Sequence, residues 1–196
     1  MKFLTFIVPT IIQLYIIILL LRVWMQWIKA DFYNPFSQFV VKTTQSFVGP
    51  LRSFIPVIGG SIDTATLLVA YLFTIANIFF VMWVTNALTL ISIALLPISC
   101  IQLLTYSGKL VFWLILIRTL LSWISQGRNP IDYMLIQLTE PLMSPIRRII
   151  PIMGGLDFSG MIVMLILIAL NYLRLDILLF IDPTITSILY SVGYLM

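Results

Sequence analysis

Residues 34–60 read NPFSQFVVKTTQSFVGPLRSFIPVIGG, and residues 129–155 read NPIDYMLIQLTEPLMSPIRRIIPIMGG. At a constant offset of 95, without a gap, nine of the 27 positions are identical: Asn34/Asn129, Pro35/Pro130, Thr44/Thr139, Pro50/Pro145, Arg52/Arg147, Ile55/Ile150, Pro56/Pro151, Gly59/Gly154 and Gly60/Gly155. Chance likeness between apolar stretches would not select Asn, Pro, Arg and Gly, which carry backbone or charge roles, so the segment is duplicated.

The duplication extends outward. Arg22 and Trp27 pair with Arg118 and Trp123 at offset 96, and Asp63 and Asn77 pair with Asp157 and Asn171 at offset 94. Each copy is flanked by apolar runs, which fits a chain that is 61% hydrophobic and 9% charged with mean hydropathy +1.12. Soluble proteins carry about 25% charged residues. A chain of 196 residues could not hide this much apolar surface in one soluble core, so the bilayer is its solvent.

A span needs about 20 apolar residues. The first is read over 3–27 and as retained, because the run ends in the interfacial anchors Arg22, Trp24, Trp27 and Lys29 rather than in a small-residue cleavage site. The others are read over about 64–96, 98–124 and 158–180. The run after Asp63 is longer than one perpendicular span. One helix tilts or breaks near Asn86, or two helices turn there; four spans are adopted, with five as the rival. The expected fold is therefore an all-α membrane protein. It is a tandem duplication of one module: transmembrane helix, loop with an amphipathic helix, transmembrane helix. The repeats occupy 1–96 and 97–182, with a C-terminal tail over 183–196. Two spans per module give both copies one orientation and put both loops on one side; a fifth span would invert the second copy.

Asn34-Pro35 and Asn129-Pro130 predict helix starts, with Asn as cap and Pro in the first turn, where its missing amide hydrogen is not needed. Phe36, Phe39, Val40, Thr43 and Phe47, and Ile131, Met134, Leu135, Leu138 and Leu142, fall on one helical face. Gln38, Lys42 and Gln45, with Asp132, Gln137 and Glu140, supply a polar side. Such a helix lies along the membrane interface or packs on the protein's own spans. Pro50 and Pro56, and Pro141, Pro145 and Pro151, predict a broken or extended segment, and the Gly59-Gly60 and Gly154-Gly155 pairs a tight turn back into the membrane.

Arg52, Arg147 and Arg148 are candidates for contact with lipid headgroups, loop carbonyls or a partner's acidic groups. Asp63 and Asp157 sit where a carboxylate caps the following helix; the other reading pairs them with Arg22 and Arg118 near the membrane boundary. Asn77 and Asn171 are candidates for helix-to-helix bonds. There is no histidine, one cysteine (Cys100) and one glutamate (Glu140), which removes most side chains that bind metals or move protons near neutral pH. No catalytic, cofactor or metal residues are assigned, and no cofactor is expected. Asp63, Asp132, Asp157 and Glu140 lack the nucleophile or ligand company of an active site, so the chain is read as not an enzyme. Net charge is +4 with no basic run, which does not point to nucleic acid. Lys29, Lys42, Arg52, Arg128, Arg147 and Arg148 in the repeated loops outweigh Lys2, Lys109 and Arg174 opposite, which predicts cytoplasmic loops.

At FYNPFSQFVVKTTQSFVGPLRSFIP and WISQGRNPIDYMLIQLTEPLMSPIRRIIPIMGGLDF the chain resembles the YggT family of bacterial inner-membrane proteins, related to the YlmG proteins of Gram-positive bacteria, cyanobacteria and chloroplasts. The Asn-Pro, Pro-x-Arg and Pro-x-x-Gly-Gly elements carry the resemblance. It implies the two-repeat form, a bacterial inner membrane, and no established catalytic activity or substrate; relatives are connected with division and nucleoid distribution, cytochrome assembly and osmotic tolerance. The expected partners are the lipid bilayer, an unidentified membrane or cytoplasmic protein, and further copies of the chain. The adopted function is a membrane scaffold or assembly factor linked to envelope, division or osmotic stress processes; a small channel or transporter is the alternative.

Overall fold

The computed structural model describes residues 2–30, 34–53, 55, 63–90, 92–125, 130–149, 159–191 and 194. Every regular element among them is helical: α1 (Lys2–Trp27), α2 (Pro35–Arg52), α3 (Thr64–Val84), α4 (Leu95–Ser125), α5 (Pro130–Ile149), α6 (Ser159–Ile181) and α7 (Pro183–Ser191), with a single 3-10 turn at Leu88–Leu90. Four of them, α1, α3, α4 and α6, are long and apolar enough to cross a membrane.

The long apolar run after Asp63 divides at Asn86. Asn86 adopts φ 57°, its N–H bonds to the Trp83 carbonyl at 3.2 Å, and the Ala87 N–H bonds to the Met82 carbonyl at 2.8 Å. This is a Schellman ending, in which a left-handed residue folds the chain back on the last carbonyls. Between Asn86 and α4 the described residues hold the 3-10 turn and no further helix of spanning length. Lys29, at φ 55°, ends α1 in the same way through Ala30 N–H to Met25 O at 2.9 Å.

α5 follows the C-terminal end of α4 yet packs on the C-terminal end of α1. Met25, Ala30, Val40, Met134 and Leu138 share one buried cluster, so α2 and α5 meet at the same end of the bundle. The first helices of the two copies, α1 and α4, thus run parallel and touch. At the opposite end Met82, Ile98, Leu178, Ile185 and Leu189 close a second cluster. The last of these belong to α7, so much of the segment read as a tail is a helix in that core. Asp182 caps α7, accepting the Thr184 and Ile185 N–H groups at 3.0 Å each.

Two readings of the loops change. Helix α2 runs through Pro50, and α5 runs through Pro141 and Pro145, where a break was expected. Pro50 is two residues from the end of its helix; Pro141 and Pro145, four apart, lie on one surface-facing side, where the carbonyls they leave unpaired are not enclosed. The expected apolar face of α2 also splits. Its buried stripe is Ser37, Val40, Thr44 and Val48, whereas Phe36, Phe39 and Phe47 face outward. Asp132, read on the polar side of α5, is buried in its first turn, where a carboxylate meets the positive helix end.

Candidate functional site

Each copy sets an arginine from its first span against its amphipathic helix. Arg22 is 2% exposed; its Nη1 donates to Thr44 Oγ1 at 2.7 Å and its Nη2 to Gln45 Oε1 at 3.1 Å. In the second copy Arg118 Nη1 donates to Thr139 Oγ1, and Nη2 lies 3.5 Å from Glu140 Oε2. Both threonine hydroxyls donate to the carbonyl one turn back, Val40 O and Leu135 O, at 2.7 Å. With the proton fixed there, the oxygen lone pairs turn to the guanidinium. A cation at membrane depth needs such partners, since lipid offers none.

A carboxylate joins each arginine to a second one. Asp63 is fully buried, with Oδ2 2.9 Å from Arg52 Nη2 and 3.7 Å from Arg22 Nε, while Oδ1 accepts the Thr66 N–H at 3.2 Å and caps α3. The capping and pairing readings of this residue therefore coexist. In the second copy Glu140 takes the bridging place, with Oε1 2.9 Å from Arg147 Nη1. The two trios use equivalent arginines, 22 with 52 and 118 with 147; among the described residues the acid is Asp63 in the first copy and Glu140 in the second. Glu140 is the counterpart of Gln45, so exchange of an amide for an acid lets α5 bridge within itself. Each trio sums to a net single positive charge.

The remaining predicted residues separate. Arg148 is exposed at the end of α5. Asn77 is buried and its Nδ2 donates to Pro9 O at 3.2 Å, tying α3 to α1, whereas Asn171 faces outward on α6. Asn34 caps α2 by accepting the Phe36 N–H at 2.9 Å, Pro35 follows it, and Pro130 opens α5. Pro56, Gly59, Gly60, Asn129, Pro151, Gly154, Gly155 and Asp157 lie outside the described residues.

Sequence reasoning left Thr44 and Thr139 unpaired with the arginines. The available signal was their identity beside Thr43 and Leu138, which differ. It also missed a polar group near the far end, where Arg174 Nη1 donates to Gln102 Oε1 at 3.5 Å and Tyr106 OH to Tyr194 OH at 2.9 Å. Among the described residues no three His, Cys, Asp or Glu side chains gather as a metal site.

The pattern of the family described as CCB3/YggT matches residues 1–84 and 98–178, one region per copy. The chain is 53% identical to a protein of Escherichia coli K12 described as uncharacterized protein YggT, over 87% of this chain and 88% of that one. It is 45% identical to a Vibrio alginolyticus protein described by its place in the proC 3' region, over 91% and 96%. A Haemophilus influenzae protein shares 38% identity over 87% and 91%. No solved structure matches the chain.

Proposed function

Because the chain belongs to the CCB3/YggT family, whose matched relatives carry no activity in their descriptions, we propose that it is a non-catalytic membrane scaffold that docks protein partners on the face built by α2 and α5. The observation that supports this reading is the paired clamp. Arg22 and Arg118 hold two amphipathic helices at one end of the bundle through the same pair of loop positions. Rigid placement of two short helices serves recognition, because it removes ordering entropy from the binding step.

Outward-facing Phe36, Phe39, Phe47, Tyr133 and Ile136 supply the apolar contact with the bilayer interface. Lys42, Arg52 and Arg148, all surface-facing, supply cations for acidic groups of a partner. We place this face in the cytoplasm of a bacterial inner membrane, following the excess of basic residues in the repeated loops. We link this scaffold to envelope, division or osmotic stress processes, as the family resemblance implies.

The test is crosslinking in native membranes from single photoreactive residues at Lys42 and Arg148. Discrete protein adducts that disappear in Arg52→Ala or Arg147→Ala chains, while insertion is retained, support docking; adducts with lipid alone contradict it. A channel or transporter is the second reading, and the buried Arg174, Gln102 and Asn77 favour it. Ion flux in liposomes that is abolished by Arg174→Gln would move the assignment there.

A further inference from the structure

The second spans of the two copies use an equivalent asparagine differently. In the first copy Asn77 is buried and donates to the α1 backbone at Pro9 O, 3.2 Å away. Its counterpart Asn171 is exposed, one residue past the middle of α6 (Ser159–Ile181). At that depth of a spanning helix neither water nor a headgroup meets the amide, and a polar group left in hydrocarbon without a bond is expensive. α6 is also the span that its own chain covers least: 17% of its apolar stretch is buried, against 28% for α4, 33% for α1 and 39% for α3.

The side of α6 that carries Asn171 has the spacing of a helix seam. Met161, Met164, Ile168, Asn171 and Leu175 follow one another by steps of three and four, the a and d positions of a two-helix contact. Each is exposed or half-buried. The next position of the series, Leu178, is fully buried in the cluster shared with α3 and α7, so the open stretch ends there.

We propose that this stretch of α6 is a dimer interface between two copies of the chain, packed in parallel about a two-fold axis along the membrane normal, with the two Asn171 amides bonded to each other. Self-complementarity selects a second copy. Chains inserted in one direction bring the same residue to the axis from both sides, and an amide both donates and accepts, whereas two like charges would repel. An acyl chain would cover the same surface but offers the amide no bond. One asparagine in an otherwise apolar seam also fixes the register of the two helices.

The experiment uses the full chain in a Cys100→Ser background, with Ile168→Cys on the seam or Leu173→Cys on the other side of α6, positions exposed alike at 46% and 53%. Oxidation by copper phenanthroline in native membranes should join chains through position 168 and not through 173, and coexpressed tagged and untagged chains should appear together in the adduct. Energy transfer between labelled chains diluted in liposomes then gives the dimer dissociation constant. Asn171→Leu should raise it about tenfold, and Asn171→Gln, which keeps the amide, should raise it less. No adduct at 168, equal adducts at 168 and 173, or an adduct with a different protein would overturn the seam. An unchanged dissociation constant in Asn171→Leu would overturn the amide pair.

Discussion

Arg22 and Arg118, 96 residues apart in sequence, make equivalent contacts: each donates to a threonine one helical residue before a Gln or Glu that also meets its guanidinium. The sequence pairs the arginines with each other and the threonines with each other. Only the fold joins the two sets, through α1 lying on α2 and α4 on α5.

Thr44→Val removes the acceptor of a buried arginine while preserving shape. It should lower stability by about 1.5–3 kcal/mol, the range for hydrogen bonds to charged groups, and Thr44→Ser should recover most of the loss. Thr139→Val should act in the same direction but less, because the Arg118 side chain is 15% exposed against 3% for Arg22. Reversible denaturation in mixed micelles measures both.

The bridging acids should differ in weight. Asp63→Ala leaves Arg22 buried beside Arg52 and uncaps α3, so a loss of about 3–5 kcal/mol is expected. Glu140→Gln should change stability by less than about 1 kcal/mol, because that side chain is 42% exposed and water screens it. Equal losses in the same denaturation assay would contradict the assignment of Asp63 as the buried bridge.

Gly160 lets α6 approach α4 and α5. A Cβ there would stand 3.2 Å from Ile115 Cγ2 and 3.4 Å from Met143 Cε. Gly160→Ala asks only for small shifts of side-chain ends, whereas Gly160→Leu should destabilise by about 1–3 kcal/mol through overpacking. Thermal melting in detergent should rank wild type and Ala together and Leu well below.

Asn86 holds the turn that ends α3. Asn86→Gly should be neutral or slightly stabilising, and Asn86→Val should lose about 1–2 kcal/mol, because a branched side chain resists positive φ. Helicity and melting temperature in micelles report the difference.

Much of this was legible from residues 34–60 and 129–155, because duplication exposes positions whose backbone or charge role resists drift. Hydropathy located the spans for the same reason that lipid demands them. It could not place the end of α3, since Asn86 sits within a continuous apolar run and its left-handed turn is a backbone property. The helical reading of α2 mistook its inward face: periodicity finds an apolar stripe, but Phe36 and Phe39 face outward while small Thr44 and Ser37 admit close packing on α1 and α3.

The account turns on two parallel modules holding their amphipathic helices on one side. The most direct measurement is sided labelling of single cysteines in a Cys100→Ser chain, with Lys42→Cys on α2, Arg148→Cys on α5 and Thr184→Cys on α7, using a membrane-impermeant maleimide on intact cells and on inverted vesicles. The account predicts that positions 42 and 148 label from one side and position 184 from the other; labelling of 42 and 148 from opposite sides would contradict it.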